Sequence, residues 1–600
     1  MRCLRLPVVL ALTCMASVAP ARALDFELTI GSIEMPSVAA PVDGLRLRGR
    51  LRTRNDTLRL EAARLSLRDS PLGAMEARIE ARLERNGDAV FDLQRLDTPS
   101  GRLHAALRRH EGDRHGDLHI ELHGEGIELG PLVSLVHGPI PALAEFDLQA
   151  TGRADLHLRA RRDGRTWSGE ADIEIPALDA TARQGRDAVE GLHLALEAQV
   201  QALDGQWTLQ AVARLAGGQA YVEPVFVDFR AAPAELAMRL RGSAAGVTVE
   251  NLDWNQAGLG RLYGRAELAT QPLGVRSADL IWNDLHLGPA FATYLQPFGA
   301  GQNWARVQLQ GRSDGHAQIR DGRLEAADLS LHRTDLDYPP ASLKLEGIDA
   351  HLHWARLGDV APSQLRWQSG HLSGVALGAS RIDLRARDRN LSLLAPLRVP
   401  LAGGAIELQR LDLLALGTPA LDARLDARIQ TLDLSVLTQA LGWPALGGSL
   451  AGKLPGVRLS NGNLEIDGQL QASVFDGQLV VEALKVLDLF GEQRRVAADL
   501  RLRGLDLGLL TGAFEFGRIE GRLDGDIENL RLRNGRPVAF DARLRTPPGD
   551  RSRRRISQRA IDTLSSIGGG PSGLLSRGAL GLFESFAYAR LGWSCILRDG

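Results

Sequence analysis

The residues with the most evident potential for chemistry are three polar side chains at alternate positions, His119, Glu121 and His123. Side chains two residues apart on a strand point to the same face, so two imidazoles and a carboxylate in this pattern could bind zinc. The residues between them are isoleucine and leucine, which places the three on the face that meets water, and no cysteine lies nearby. We therefore predict no metal site here.

Other sequence signatures of catalysis or cofactor binding are absent from the chain. It has no phosphate-binding loop, no HExxH zinc motif, no dinucleotide-binding glycine fingerprint and no nucleophile elbow. The glycine-rich segment 568–573 lacks the lysine that a phosphate site would use. Acidic residues are numerous but dispersed, and no pair stands out as acid and base. We predict that the chain is not an enzyme and binds no cofactor.

The elements that carry these residues are predicted from an alternation of apolar and polar residues along most of the chain. When such a run forms a strand, one of its faces is apolar and the other is charged. The pattern therefore predicts a very large sheet with one solvent-exposed face. The clearest runs are residues 45–48, 58–60, 65–68, 118–122 and 530–533. The inward candidates that they give are Leu45, Leu47, Leu58, Leu60, Leu118, Ile120, Leu122, Leu530 and Leu532.

Turn signals punctuate this alternation and predict antiparallel hairpins. Asp163-Gly164, Asp204-Gly205 and Asp476-Gly477 are dipeptides that suit tight turns between antiparallel strands. Roughly 40 strands of this kind would make a sheet too large to stay flat and open. The predicted fold class is mostly β: an elongated, curved antiparallel β-groove built from repeats, with a few short helices and a helical C-terminal cap. Aromatic residues are only 5% of the chain, so aliphatic side chains would line this groove.

A hexapeptide motif recurs at longer intervals within this alternating sequence. Each copy predicts a strand that runs into a short helical turn. The third and fourth copies begin 73 residues apart (505 minus 432). Repetition of this kind is typical of arrays that grow in one direction. A glycine is predicted to restart a strand after each copy, at Gly152, Gly311, Gly452 and Gly521. The four copies are IELGPL at 127–132, LHLGPA at 285–290, LDLSVL at 432–437 and LDLGLL at 505–510.

The charge balance and the N-terminal segment indicate where the chain works. Its 71 basic and 73 acidic residues leave no positive field for nucleic acid. Residues 1–23 have the pattern of a secretory signal peptide, with Arg2 and Arg5, a short apolar core and an A-x-A site at residues 21–23. An uncleaved anchor in the inner membrane is the alternative. Cys595 is the one cysteine beyond this segment, so no disulfide scaffold is expected.

The most specific local signal is C-terminal, from about residue 484 to residue 600. Its motifs are KVLDLFG at 485–491, FEFGRIEGRLDG at 514–525, PVAFDA at 537–542, ISQRAID at 556–562 and GGG at 568–570. This region resembles the C-terminal part of the AsmA-like superfamily of Gram-negative envelope proteins, in the YdbH-like branch also labelled a "dicarboxylate transport" family. Upstream, the resemblance is limited to the strand-repeat pattern. The predicted domains are therefore the segment 1–23, a repeating groove at 24–483 and this C-terminal region at 484–600.

The resemblance implies a periplasmic β-groove that carries phospholipids between the inner and outer membranes. It also implies attachment to the inner membrane and, for this branch, a small outer-membrane lipoprotein as partner. The N-terminal segment departs from that pattern because it looks cleavable. Two alternatives remain. An outer-membrane barrel would need aromatic girdles that five tyrosines do not supply, and an envelope assembly factor would act by pairing an edge strand with a partner protein.

The C-terminal region is predicted to contain two short helices. The first would span residues 557–567, with Ser557 as its N-cap. The second would follow Pro571 and carry Leu575, Leu582, Phe583 and Phe586. These helices would either cap the end of the sheet or contact a membrane surface. A preceding basic run would then meet acidic headgroups or remain a solvated loop; it consists of Arg551, Arg553, Arg554 and Arg555.

Overall fold

The computed structural model describes most of the chain outside the N-terminal segment. The described residues are 23–33, 42–54, 57–67, 75–84, 88–98, 100–110, 117–137, 147–243, 246–270, 273–418, 420–440, 446–460, 462–487, 495–514, 517–534, 536–561 and 584–598. The predicted signal segment, apart from Ala23, and the candidate residues Leu575, Leu582 and Phe583 lie outside them.

Strands make up most of the described chain, as the alternation predicts. The first eighteen are β1 Leu24–Ile33, β2 Val42–Arg54, β3 Thr57–Leu67, β4 Met75–Glu84, β5 Ala89–Thr98, β6 Gly101–His110, β7 Asp117–Glu128, β8 Gln149–Thr151, β9 Arg153–Asp163, β10 Thr166–Ala182, β11 Asp187–Leu203, β12 Gln206–Ala216, β13 Gln219–Val222, β14 Val225–Asp228, β15 Ala234–Ser243, β16 Gly246–Gln256, β17 Gly260–Thr270 and β18 Leu273–His286.

The remaining strands follow the same order along the chain. They are β19 Gln308–Arg320, β20 Arg323–Tyr338, β21 Leu343–Ala355, β22 Ser363–Trp367, β23 Ser369–Leu372, β24 Val375–Leu377, β25 Ser380–Arg387, β26 Asn390–Leu393, β27 Leu397–Leu401, β28 Gly404–Leu414, β29 Asp422–Asp433, β30 Gly448–Ser460, β31 Asn463–Glu465, β32 Gln469–Val474, β33 Gly477–Leu487, β34 Arg495–Asp506, β35 Ile519–Glu520, β36 Arg522–Arg533, β37 Arg536–Arg545, β38 Arg555–Ser557, β39 Ser585–Ala587 and β40 Gly592–Leu597.

Helices are few and short in the described chain. They are α1 Leu129–His137, α2 Leu287–Ala290, α3 Leu434–Ala440 and α4 Leu507–Ala513, with a π-helical turn Phe291–Leu295, 3₁₀ turns Gln296–Gly299, Asn303–Arg306 and Pro339–Ala341, and a helical segment at 558–561. Each of the helices α1 to α4 starts at the third residue of one copy of the hexapeptide repeat. The predicted strand-to-helix junction is therefore confirmed at all four copies.

The described strands form one 37-stranded sheet and one small sheet of β35, β38 and β39. Most strands pair with the strands that come directly before and after them, and the pairing is antiparallel apart from a two-residue parallel contact of β21 with β25 among the described pairs. The predicted fold class, mostly β with an antiparallel sheet and few short helices, is confirmed. Antiparallel neighbours arise because short turns join consecutive strands.

The chain forms two compact units. Unit 1 comprises the described residues up to Asn283, together with Ala292–Phe298 and Ile319–Arg323. Unit 2 comprises Asp284–Phe291, Gly299–Gln318 and the described residues from Leu324 onward. The predicted boundary between 483 and 484 lies inside unit 2 and stays a prediction about the family region.

The third and fourth repeat copies in unit 2 match residue by residue around a buried threonine. Thr511 donates to the carbonyl of Leu507 at 2.7 Å and accepts from the N–H of Ile519 at 3.2 Å. Thr438 makes the equivalent bonds, to the carbonyl of Leu434 at 2.8 Å and from the N–H of Leu446 at 3.1 Å. Every spacing is conserved between the two copies. One hydroxyl therefore bonds the carbonyl of the first helical residue and an N–H eight residues beyond the threonine, and so fastens each short helix to the segment that leads into the next strand.

The glycine predicted to restart a strand does so in two of the four copies: Gly152 and Gly521 directly precede β9 and β36, whereas Gly311 lies inside β19. Gly152, Gly311 and Gly521 have φ values of +126°, +135° and +141°, a region that L side chains rarely adopt. In the third copy the prediction of Gly452 was wrong, because Gly448 has that conformation, at φ +128°. A Cβ on Gly448 would lie 2.0 Å from the carbonyl oxygen of Ser473. The requirement comes from a backbone that crosses closely, which the spacing of glycines does not reveal.

A second recurring device is a β-bulge whose extra residue has positive φ and donates its N–H to an aspartate. Gly126, for example, has φ +60° and donates to Asp155 Oδ1 at 2.7 Å, where the pairing of β7 with β9 slips by one residue. Such bulges bend a strand and restore its apolar side chains to the inner face after an extra residue. The other donor and acceptor pairs are Gly191 with Asp179, Asp284 with Asp314, Arg333 with Asp349, Gly347 with Asp335, Gly456 with Asp426, Gly504 with Asp524, and Asn529 with Asp499.

These bulge aspartates predict a loss of stability in acid. Backbone N–H donation lowers the pKa of Asp314 and the pKa of Asp349, with Asp284 and Arg333 as the respective donors. A carboxyl whose folded pKa is depressed stabilises the fold above its unfolded pKa, near ~3.9, and loses that contribution as the pH falls through the folded pKa. We expect the melting temperature to fall between pH 4 and pH 2. The fall should be smaller in the Asp314→Asn/Asp349→Asn variant, whose amides still accept the bonds; an equal fall in both proteins would contradict the assignment.

Candidate functional site

The candidate site is a surface, the apolar face of the sheet in unit 1. Leu118, Ile120 and Leu122 of β7 all lie on this face, as predicted, and all three are half-buried. Leu122 stands directly opposite Ala105 of β6 on one side and Leu158 of β9 on the other. Apolar side chains therefore meet apolar side chains from strand to strand, which is the arrangement that stabilises one face of a sheet.

Three rows of such contacts cross unit 1 without a charged residue. Neighbouring strands lie ~4.8 Å apart, so the longest row, over eleven strands, covers roughly 48 Å. The first row is Phe91, Leu107, Ile120, Ala160, Gly169, Val200, Leu209, Leu240, Val249, Ala266 and Ala278. The second row is Ala105, Leu122, Leu158, Ala171, Ala198, Ala211, Met238, Leu252, Gly264 and Leu280. The third row is Leu103, Gly124, Leu156, Ile173, Leu196, Ala213, Leu236, Trp254, Leu262 and Trp282.

Burial on this face changes along each strand. Ile127 and Leu129, where β7 runs into α1, are 1% and 8% exposed and pack near the cluster of Ala154 and Ile175. Towards the other end, apolar side chains keep much of their surface. Phe91 and Val200, in the first row, are 37% and 39% exposed. Val249 and Ala278, in the same row, are only 8% exposed, so the face is uncovered over the part of its length that holds Phe91 and Val200, where an apolar ligand could replace water.

Three more of the predicted lining residues lie on the same kind of face. In unit 1, Leu60 stands between Leu51 and Ala81, and Leu58 and Leu47 are on the same side of their strands. Leu45 belongs to β2 opposite Ile30, but its side chain is outside the described set.

Unit 2 carries an equivalent apolar face, which holds the other two predicted lining residues. Leu530 stands opposite Ala498, and Leu532 opposite Val496. One row crosses it without a polar residue before it ends at the thiol of Cys595: Ile406, Ile429, Gly452, Leu470, Val481, Leu500, Ile527, Ala542 and Cys595. Cys595 is a free, half-buried cysteine.

The opposite face is a lattice of ion pairs. Arg214 contacts Glu197 at 2.7 Å and Glu235 at 3.3 Å, on the strands at either side, and these carboxylates raise its pKa. Exposed pairs of this kind contribute little to stability individually. They keep this face hydrated, with positive and negative charges interspersed. Two shallow depressions of about 520 and 650 Å³ lie between these charged side chains.

The histidines considered for zinc lie on this charged face, as predicted. His119, Glu121 and His123 are exposed. Glu121 contacts His157 of β9 at 3.1 Å, and that hydrogen bond lowers the pKa of Glu121. His123 meets the ring of His157 edge-on, with ring centroids 5.8 Å apart. In the part of the chain that the structure describes, no group of three or more His, Cys, Asp or Glu residues is placed to hold a metal ion.

The basic run before the C-terminal helix is held inside the C-terminal region. Arg553 pairs with Glu520 at 3.4 Å, Arg554 donates to the carbonyls of Ala589 and Asp550, and Arg555 belongs to β38 and donates to the carbonyl of Ser585 at 3.2 Å. The expectation of a solvated loop was therefore wrong for Arg554 and Arg555, which are half-buried. Contact of this region with a membrane surface stays a prediction.

The prediction for the two C-terminal helices is correct in part. Ser557 accepts from the N–H of Ala560 at 3.2 Å, as an N-cap does, and residues 558–561 are helical. The prediction for Phe586 was wrong: it lies in strand β39, opposite Ile556 of β38, and packs on the core around Leu505 and Leu507. Strand β40 then returns to the large sheet beside β37. Local periodicity misses these strands because their partners are distant in sequence.

Sequence reasoning also missed a margin of polar and aromatic side chains on the apolar face of unit 1. Arg109 and Arg162 stand directly opposite Leu118, on the strands at either side of it. Trp167 of β10 is opposite Arg162, and Trp207 of β12 is on the same line. The signal was available as the doubled basic residues at 108–109 and 161–162, where the alternation breaks near a strand end.

Comparison with known proteins leaves the family open: no protein-family model matches the chain, and no curated protein matches it. Within the described residues, no helix has both the length and the apolar character needed to cross a bilayer.

Proposed function

We propose that this chain is an envelope protein whose apolar sheet face binds the acyl chains of phospholipids and conducts them between the inner and outer membranes. The observation that carries the proposal is the set of uninterrupted apolar rows, with Phe91 and Val200 still 37% and 39% exposed. Acyl chains laid on such a face would leave water, at ~0.8 kcal/mol for each methylene buried. No enzymatic step is part of the proposal.

The composition of the rows suits movement as well as binding. Most members are Leu, Val, Ile, Ala or Gly, so neighbouring segments offer similar apolar environments. A lipid that slides from one strand to the next would exchange one aliphatic contact for another, and the free energy would change little along the path.

We propose the cellular setting from the sequence. The segment 1–23 would direct the chain to the periplasm or anchor it in the inner membrane. The resemblance of residues 484–600 to the AsmA-like superfamily, in its YdbH-like branch, supports the same setting. The partners proposed on this basis are phospholipids, the two membrane surfaces and a small outer-membrane lipoprotein; nucleic acid is not among them.

A structural or assembly role is the second candidate, and one observation favours it. Among the described residues, β1 pairs with β2 alone and β40 with β37 alone, so each has one edge without a described neighbour. An open edge can accept a strand from another protein. Capture of a partner through β40 with no lipid on the protein would favour this candidate over lipid transport.

The protein is expected to carry phospholipid when it is purified. It should be released by osmotic shock, kept free of detergent and examined by native mass spectrometry, with a soluble periplasmic protein of similar mass as control. We expect adducts of phospholipid mass on this protein and none on the control. Protein that is free of lipid, and that takes up none from vesicles, would contradict the proposal.

A further inference from the structure

The margin of the apolar face in unit 1 contains two arginines within an otherwise apolar and aromatic line. Arg109 of β6 and Arg162 of β9 flank Leu118 of β7 in direct cross-strand positions. Two strand spacings separate them, which is ~10 Å between their backbones. Along this margin and the three rows beside it, from β5 to β18 as described, they are the only charged residues.

One of these guanidinium groups is held in place. Arg162 Nε donates to the carbonyl of Gly164 at 3.0 Å, and its guanidinium carbon lies 5.8 Å from the centre of the Trp167 ring. Stacking on an aromatic ring leaves the plane of the guanidinium fixed and its remaining N–H groups at the edge. Trp167 itself is 39% exposed. The group is therefore presented at the open side of the face rather than buried.

The aromatic part of the margin continues on β12. Trp207 extends over Gly242 of β15, where a Cβ would lie 2.1 Å from the ring. Tryptophan prefers the boundary between hydrocarbon and water, since its ring is apolar and its N–H is polar. Arginine binds phosphate oxygens through paired N–H groups. The margin thus combines tryptophan, which suits the boundary between hydrocarbon and water, with arginine, which suits the phosphate of a lipid headgroup.

We propose that Arg109 and Arg162 bind the phosphate of a glycerophospholipid headgroup while its acyl chains lie on the rows that begin at Leu118 and Ile120. This inference rests on the proposed function. It commits to a lipid phosphate, because both guanidinium groups adjoin an apolar face that a free anion would not use. The two arginines are the charged residues of the margin. They therefore fix the position of the headgroup at the margin of the apolar face.

The test compares two lipids that differ only in the headgroup. Binding of dioleoylphosphatidylglycerol and of dioleoylglycerol is measured for the full chain, for R109Q/R162Q and for R159Q/R161Q. Arg159 and Arg161 serve as matched controls because they lie on the opposite face of the same strand, β9. We expect R109Q/R162Q to bind the phospholipid about tenfold more weakly, with its binding of dioleoylglycerol unchanged. The control variant should bind both lipids as the unmodified protein does.

The outcomes separate this inference from the proposed function. If R109Q/R162Q binds both lipids like the unmodified protein, the headgroup site is overturned and lipid binding stands. If the unmodified protein binds neither lipid, both proposals are overturned. Millimolar inorganic phosphate is added as a third ligand, and if it displaces the phospholipid fully, the arginines serve a free anion and the inference fails. Unchanged binding of dioleoylglycerol shows that the variant is folded.

Discussion

Glutamate in place of Phe91 and Val200 is expected to abolish phospholipid carriage while the sheet stays folded. Both side chains lie in the first apolar row, on β5 and β11, and are 37% and 39% exposed. About three-fifths of each side chain is buried, so each substitution should lower the free energy of unfolding by about 1–2 kcal/mol, a loss that a sheet of this size can bear. The two positions interrupt the row at separate points along the proposed path.

The expected loss of carriage follows from the cost of burying a charge. An acyl chain at either position would cover an ionised carboxylate that has no partner, at a penalty of several kcal/mol, whereas each methylene buried gains only ~0.8 kcal/mol. We expect transfer of labelled phospholipid between vesicles to fall by more than tenfold. The matched controls are the single variants Gln199→Glu and Gln210→Glu, which each add a charge on the polar face; they are kept separate because the two residues stand directly opposite each other on β11 and β12. Unimpaired transfer by the Phe91→Glu/Val200→Glu variant would contradict the proposal that phospholipids move along the apolar face.

Alanine in place of Gly448 is expected to destabilise unit 2 by about 3 kcal/mol or more, because it combines backbone strain with a clash. The residue has φ +128°, and its Cβ would lie 2.0 Å from the carbonyl oxygen of Ser473, a backbone atom that cannot move aside alone. Gly447→Ala is the matched control, since a Cβ at Gly447 meets nothing within 4 Å.

Chemical denaturation followed by circular dichroism measures the difference. Gly447→Ala should stay within about 1 kcal/mol of the unmodified protein, which is the ordinary range for a surface change. Gly452→Ala should fall between the two, because its φ is not positive and its Cβ would meet Leu470 Cδ2 at 3.0 Å and the Gln469 carbonyl oxygen at 3.1 Å, which is tight but far from the 2.0 Å clash at Gly448. Equal stabilities of the variants at Gly447 and Gly448 would show that the strand does not restart at Gly448.

The fold class was predictable because the alternation acts on every strand separately. Leu118, Ile120 and Leu122 need only their own sequence to be placed on one face, and the register with Ala105 and Leu158 then follows from burying that face. The short helices were predictable for the same reason, since each copy of the hexapeptide contains both the end of a strand and the start of a helix.

The features that sequence did not reveal depend on pairs that are distant along the chain. Gly126 and Asp155, which form one bulge, are 29 residues apart, and neither has a local signature of the bond between them. Gly448 differs from Gly452 in its positive φ and in the carbonyl of Ser473, which belongs to the paired strand β32. The margin of the candidate site was missed because Arg109 and Arg162 look like ordinary polar positions until the register places them on the apolar face.

The equivalence of the segments around Thr438 and Thr511 means that the length of this protein can change in whole units. Residues 434–506 begin at the start of one helix and end just before the start of the next, and both helices make the same two bonds through threonine. Loss of that segment would join Asp433 to Leu507, and duplication would join Asp506 to Leu434. In both cases an aspartate again precedes the first residue of the helix, so no new kind of junction arises. Evolution can therefore change the number of strands one repeat at a time, while each remaining repeat keeps its own internal contacts.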